Sequence, residues 1–159
     1  NSMRGAAFLT GRTEAMVIDV GGTTSDVGCL IGGFPREANN VVEIGGVRTL
    51  FRMPALLPIG LGGGTIIELE TGRVGPRSVG YKITEEALVF GGKTLTATDI
   101  AVAAGLADIG DRDRVAHLDE ALVHDFVGRI QRMVEDAVDR MKTSAEGVGR
   151  SKQVLPGAR

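Results

Sequence analysis

Apolar and polar positions change period twice along the chain. Ala15–Val20 ("AMVIDV") is a nearly unbroken apolar run carrying Asp19 near its end, the pattern of a central strand buried on both faces with its functional end at a loop. After that loop, "DVGCLIGG" (Asp26 to Gly33), punctuated by "GGFP", predicts a second strand returning antiparallel beside the first. "VVEIGGVRTLF" (Val41 to Phe51) supplies a third stretch, with Gly45 and Gly46 marking a turn or bulge, so a meander of about three strands is expected. "LLPIGLGGGTIIELE" (Leu56 to Glu70) reads as strand, glycine loop and strand, a second hairpin, and Gly72 and Pro76 bound a short extended piece after it.

From Thr84 the pattern turns helical. "TLTATDIAVAAG" offers Thr96 or Thr98 as N-cap, a small apolar helix, and Gly105 as its stop. In Leu118 to Lys142, Leu118, Leu122, Phe126, Ile130, Met133, Val134, Ala137 and Met141 recur at three- and four-residue spacing, which predicts a long amphipathic helix covering the sheet. Asp119 and Glu120 at its start and Arg140 and Lys142 at its end match the helix macrodipole. One domain over 1–145 is expected, with 146–159, which lacks periodicity, as a frayed tail.

Composition narrows the function classes. A formal charge of −2 without a local Lys/Arg cluster argues against nucleic acid as a partner. No apolar stretch approaches the roughly 18 residues that span a bilayer, and no signal peptide opens the chain, so no membrane and a soluble, cytoplasmic protein are the expectation. The start "NSMRGAAF" suggests a piece of a longer polypeptide. Cys29 lies in a strand-like run without a charged partner and reads as a buried, inert thiol. His117 and His124, seven residues apart, would stand about 10 Å apart on a helix, too far to share a metal ion. Tyr81 is the only tyrosine and Trp is absent, which gives little support to base stacking. Glycine is the outlier at 24 residues, so many backbone positions need positive φ or close approach.

Two glycine loops carry candidate chemistry. Gly21 and Gly22 leaving a strand can aim backbone N–H groups, with the hydroxyls of Thr23 and Thr24, at an anion. Asp19 and Asp26 bracket this loop, and carboxylates beside phosphate require Mg²⁺ or its water shell between the like charges; Asp19 could alternatively orient an attacking water. On spacing alone a structural hairpin turn fits equally well. A P-loop is excluded, because no lysine follows either glycine loop and a strand rather than a helix follows "GGTTSD". A dinucleotide fingerprint fails likewise, since Gly60, Gly62, Gly63 and Gly64 do not form G-x-G-x-x-G and "TIIELE" is extended.

The strand, D-x-G-G-x-T-x-D loop and returning strand resemble the second phosphate motif of the actin, sugar kinase and heat-shock chaperone ATPase superfamily. With "NSMRGAAFLTG", "DVGGTTSDVG", "PIGLGGGTIIELETGRVGPRSVG" and "GKTLTATDIAVAAG" in this order, the chain resembles the hydantoinase A and 5-oxoprolinase family over most of Asn1 to Gly105. The resemblance implies an α/β, RNase H-like (actin-like ATPase) subdomain, an antiparallel strand meander with covering helices. It also implies ATP- and Mg²⁺-dependent opening of a cyclic amide such as a hydantoin or 5-oxoproline through phosphorylation of the amide oxygen, with relatives that carboxylate ketones. Carried over by motif, Asp19 and Asp26 serve metal or water as catalytic residues, and Gly21, Gly22, Thr23 and Thr24 the phosphates. Gly62, Gly63, Gly64 and Thr65 match the second glycine loop, where phosphate or substrate contact and a structural turn are equally compatible. Thr98 and Asp99 match a "TD" before a helix, where capping is favoured over catalysis.

"YKITEEALVFGG" stands where the family commonly has a proline- and glycine-rich segment. The sequence contains neither the first phosphate loop nor the adenine-binding segment of an actin-like ATPase, so this chain alone is expected to be inactive. A hydantoinase B-like second subunit or domain is compatible with the resemblance. A sugar or acetate kinase-like phosphotransferase and a non-catalytic chaperone-like ATPase module are the alternatives.

Overall fold

The computed structural model describes residues 2–38, 42–44, 47–49 and 54–151. In chain order the elements are α1 (Ser2–Thr10), β1 (Ala15–Val20), β2 (Ser25–Ile31), β3 (Phe34–Pro35), β4 (Val42–Ile44), β5 (Val47–Thr49), β6 (Leu56–Ile59), β7 (Thr65–Glu68), β8 (Arg73–Ser78), α2 (Ile83–Glu86), α3 (Ala97–Ala103) and α4 (Glu120–Ser151). Short 3-10 turns flank α2 and precede α4. The chain divides into two compact units, Asn1–Val17 with Val27–Leu57 and Glu135–Arg159, and Ile18–Asp26 with Pro58–Val134.

The main sheet is four-stranded: β2 pairs with β1, with β3 and with β6. β2, not β1, is therefore its centre. Five of the seven β2 residues are buried, whereas Ile18, Asp19 and Val20 of β1 are exposed. An apolar run reports that a strand can be buried on both faces, not that neighbours cover it. The third strand of the meander is the short β3, in register Leu30↔Pro35 and Ile31↔Phe34. The stretch expected in its place forms the separate β4–β5 ladder, Val42↔Thr49 to Ile44↔Val47; Gly45 and Gly46 lie outside the described residues.

In the first unit α1 packs Met3 inward, and the absence of a side chain at Gly28 admits it. A Cβ there would stand 2.7 Å from Met3 Cε and 2.9 Å from Leu56 Cδ2. The Cys29 thiol donates to Met16 Sδ at 3.0 Å. Burial holds that thiol above its usual range, with Arg36 opposing the shift, which matches an inert cysteine.

Leu56–Glu70 is not a hairpin. β6 belongs to the main sheet, while β7 pairs with β8 in register Thr65↔Ser78, Ile67↔Val74 and Glu68↔Arg73, with an irregularity after Thr65. The glycine loop thus passes between two sheets. Gly72 turns the β7–β8 hairpin at φ +67°, and Arg129 Nη1 donates to its carbonyl at 2.9 Å. β8 continues through Pro76, which does not end the extended piece.

Ile67 of β7, Leu95, Ile100 of α3, and Val123 and Phe126 of α4 form one core cluster. Burying Ile100 and Phe126, which are 0% and 3% exposed, contributes about 2 kcal/mol each. Ala87, Val89, Val102 and Val115 form a second cluster. At the start of α4 the Asp119 carboxylate accepts the Leu122 N–H at 3.0 Å, an N-cap. The apolar periodicity ends at Lys142, yet the helix runs to Ser151. Periodicity marks where a buried face is needed, and no proline lies between Lys142 and Pro156 to stop the helix. Residues 152–159 lie outside the described residues.

Candidate functional site

The β1–β2 turn closes through the Gly21 N–H, which donates to the Thr24 carbonyl at 2.9 Å. Counting back from this bond, an antiparallel ladder sets Val20 beside Ser25 and Asp19 beside Asp26, and the Met16–Cys29 contact keeps the same register. On this count the two predicted carboxylates, one near the end of β1 and one near the start of β2, flank the same turn. Asp19 is exposed and Asp26 half-buried. Val20 and Ser25, on the other face, line a cavity of about 410 Å³ with Leu61, Ile100 and Val127. The Ser25 hydroxyl is consumed by the Leu61 carbonyl at 2.7 Å.

The second glycine loop lies against the first, backbone to backbone. The Gly63 N–H donates to the Gly21 carbonyl at 3.0 Å, and the Gly64 N–H to the Gly22 carbonyl at 2.7 Å. The Ser78 hydroxyl donates to the same Gly22 carbonyl at 3.4 Å. A Cβ on Gly62 would stand 2.6 Å from Gly21 O and 2.7 Å from Thr23 N, and one on Gly64 would be 2.9 Å from Gly22 O. Glycine is required at both positions by contact distance.

This docking orients the first loop. In a trans peptide the C=O of one residue and the N–H of the next point in opposite directions. With the carbonyls of Gly21 and Gly22 held by the second loop, the N–H groups of Gly22 and Thr23 point away from it. Among the described residues, neither N–H has a hydrogen-bond partner, nor does the hydroxyl of Thr23 or Thr24. Two successive outward amides flanked by hydroxyls are a set of donors able to face an anion. A Cβ at Gly22 would meet nothing within 4 Å.

Thr65 and Thr98 brace the second loop from behind. The Thr65 hydroxyl accepts the Gly62 N–H at 2.7 Å, and the Gly63 carbonyl accepts both the Thr98 hydroxyl at 2.9 Å and the Thr98 N–H at 3.0 Å. Thr65 is fully buried. Of the second-loop candidates, Gly62, Gly63, Gly64 and Thr65 therefore all participate in loop support.

Asp99 is fully buried and completes a capping box at α3 with Thr96. Its carboxylate accepts the Thr96 N–H at 2.7 Å, the Thr96 hydroxyl at 2.8 Å and the Val89 N–H at 2.8 Å. Every contact of Asp99 is structural, which agrees with capping, and Thr96 rather than Thr98 is the N-cap. Gly105 at φ +73° ends α3 in a Schellman motif, with Leu106 N–H bonded to Ala101 O and Gly105 N–H to Val102 O. His117 precedes α4 while His124 lies on it, and among the described residues no group of three His, Cys, Asp or Glu side chains could hold a metal ion.

The residue pattern fits a phosphate with a divalent cation. Outward amides suit the anion. Among the described residues Asp19 and Asp26 have no cationic partner, and two adjacent carboxylates repel unless a cation stands between them. Sequence reasoning passed over Ser78 and Gly80. The Ser78 hydroxyl also accepts the Gly80 N–H at 3.0 Å, and a Cβ at Gly80 would stand 3.8 Å from Thr23 Oγ1. Both lie in "VGPRSVG", but a short polar residue after a strand carries no distinctive signal.

A glycine hairpin loop backed by a second glycine loop, in a mixed α/β chain with antiparallel sheets, is consistent with the expected actin-like, RNase H-like class. The hydantoinase/oxoprolinase family model matches residues 2–148, and the chain belongs to that family. Its fold is similar to a nucleotide-free structure of acetone carboxylase, described as performing ATP-dependent acetone carboxylation (20% identity, TM-score 0.60, 92% of this chain and 24% of that one). It is also similar to the ATP-dependent caprolactamase from Pseudomonas jessenii (23% identity, TM-score 0.60, 87% of this chain and 24% of that one). The chain thus spans about a quarter of the length of either structure. A search of curated proteins finds no match. No helix among the described residues is long and apolar enough to cross a membrane.

Proposed function

We propose that this chain is the phosphate-handling subdomain of a cytoplasmic, ATP-dependent hydrolase that opens a cyclic amide of the hydantoin or 5-oxoproline type. The observation that carries the reading is the pair of outward N–H groups at Gly22 and Thr23, fixed because the carbonyls of Gly21 and Gly22 are bonded to Gly63 and Gly64. ATP with Mg²⁺ would supply a phosphoryl group that converts the amide oxygen into a leaving group. The Gly22 and Thr23 amides and the Thr23 and Thr24 hydroxyls receive phosphate oxygens. These donors are positioned in advance, so they stabilise developing charge without reorganising, an effect of about 3 kcal/mol per donor in well-studied sites. Asp19 and Asp26 would hold the cation or its water shell, with Asp19 as the alternative orienter of an attacking water. The cyclic amide and a hydantoinase B-like subunit or domain are the partners this reading implies.

The test uses the complete polypeptide. Mg²⁺-dependent ATP hydrolysis is measured against a panel of hydantoins, 5-oxoproline and lactams, then repeated with Asp19→Asn. Stimulation by a cyclic amide is expected, with at least a 100-fold loss in the variant and no change in its melting temperature, because Asp19 is exposed. Unchanged turnover in Asp19→Asn removes its assigned role, and no stimulation by any amide overturns the substrate class.

A further inference from the structure

Two unbroken hydrogen-bond chains cross from the second glycine loop to the first, each passing through one peptide group of either loop. In one, the Thr65 N–H donates to the Gly62 carbonyl at 3.0 Å, and the N–H of that peptide group, on Gly63, donates to the Gly21 carbonyl at 3.0 Å. That chain ends in the Gly22 N–H. In the other, the Gly63 carbonyl accepts from Thr98, and the N–H of its peptide group, on Gly64, donates to the Gly22 carbonyl at 2.7 Å. This chain ends in the Thr23 N–H. The two differ at their origin: one starts from a single backbone N–H, the other from two donors, the Thr98 N–H at 3.0 Å and the Thr98 hydroxyl at 2.9 Å. The Ser78 hydroxyl stands 3.4 Å from the Gly22 carbonyl, longer than an ordinary O–H···O bond. Thr98 is therefore the side chain that bears most strongly on the second chain.

We propose that Thr98 is a positioning residue for the phosphate site, its hydroxyl fixing and polarising the Thr23 N–H through two intervening peptide groups. The assignment rests on the proposed function and deepens it. A trans peptide group carries its C=O and N–H on opposite sides, so a donor held on the carbonyl both fixes the direction of the N–H and draws electron density away from it. Chained hydrogen bonds strengthen one another by about 10–30% per bond. The hydroxyl is not needed to cap α3, which Thr96 does, and the Thr98 N–H already bonds the Gly63 carbonyl. What the hydroxyl adds is a second donor at the head of a chain that ends at the anion-facing side of the first loop. Thr98 acts there without touching phosphate.

In the complete polypeptide, Thr98→Val and Thr98→Ser are compared with the parent for kcat and KM in Mg²⁺-dependent ATP hydrolysis and for melting temperature. The Gly22 and Thr23 amide protons are followed by NMR in isotope-labelled protein. Valine keeps the side-chain shape and leaves the Thr98 N–H on the Gly63 carbonyl, so the variant should fold and melt within a few degrees of the parent. One donor to developing charge is worth about 10²–10³ in kcat, and 10–30% of that effect on a logarithmic scale is about two- to eightfold. Thr98→Val is expected to lower kcat about fivefold, with KM for ATP within about twofold of the parent. Thr98→Ser keeps the hydroxyl and should restore the parent kcat. The Thr23 amide proton should move upfield in Thr98→Val, while that of Gly22, which ends the other chain, stays. A loss of kcat that Thr98→Ser shares, or an equal shift of both amides, marks a general loosening of the loops and overturns the assignment. Absence of ATP hydrolysis in the parent overturns the functional reading and this assignment with it. Hydrolysis in the parent that Thr98→Val does not slow removes this assignment alone.

Discussion

Replacing Gly62 by alanine tests the docking of the two glycine loops. The new methyl group would stand 2.6 Å from Gly21 O, 2.7 Å from Gly22 C and 2.7 Å from Thr23 N, where ordinary contact begins at 3.4 Å. All three are backbone atoms, so no rotamer change relieves the overlap, and the loops must separate by about 0.8 Å. That separation stretches the Gly63–Gly21 and Gly64–Gly22 hydrogen bonds, now 3.0 and 2.7 Å. Overpacking typically costs 1–3 kcal/mol and each weakened bond about 1 kcal/mol, offset by under about 1 kcal/mol from the stiffer unfolded chain, for a net loss of about 2–4 kcal/mol. With a urea m-value of about 2 kcal/mol/M, the midpoint falls by about 1–2 M. Gly22→Ala is the control: its Cβ enters open space, and stability should change by no more than about 0.5 kcal/mol. If Gly62→Ala unfolds at the parent midpoint, or if both substitutions cost the same, the docking argument is wrong.

Three further outcomes follow from the same geometry. Asp99→Ala leaves the N–H groups of Val89 and Thr96 buried without their acceptor and should lose about 3–5 kcal/mol in thermal or urea unfolding, with Asp99→Asn losing less; a loss under about 1 kcal/mol refutes the structural role. Cys29 has its folded pKa raised above 9.0 by burial. The stability it contributes is complete below pH 9 and is lost as pH rises through the folded value, because the unfolded thiol ionises before the folded one; urea midpoints that fall as pH rises above 9 in the parent but less steeply in Cys29→Ala would show this, and parallel curves would refute it. If the loop at Gly21–Thr24 is one part of a larger nucleotide site, as proposed, the 159-residue chain should show no saturable micromolar ATP binding by calorimetry, and such binding would contradict that division of the site.

The helical half was largely legible because its signals are local. Asp99 follows Thr96 by three residues, which is enough to form the capping box, and Gly105 supplies the positive φ that closes α3. The start of α4 could be read from Asp119 and Glu120 for the same reason. Strand partnership is different. β6 and β7 flank one loop like a hairpin, but β6 pairs with β2 and β7 with β8. The alternation within Leu56–Glu70 specifies extended backbone and says nothing of which edge receives it. β1 was misplaced at the centre for the same reason, since apolar content does not disclose how many neighbours a strand has.

The site was legible in its parts and hidden in its assembly. "GGTTSD" announces a loop able to face an anion and "GLGGGT" announces a second, but each also permits an ordinary turn. What separates the readings is that Gly63 and Gly64 bond the carbonyls of Gly21 and Gly22 and thereby fix where the next two amides point. Such an interaction is made by peptide groups, which every residue carries, so its sole trace in the sequence is the missing Cβ at Gly62 and Gly64. Glycine excess is therefore informative here in a way that a side-chain motif is not: it marks where backbone must touch backbone. The outward N–H groups belong to the first loop, and the second acts by holding the carbonyls that orient them.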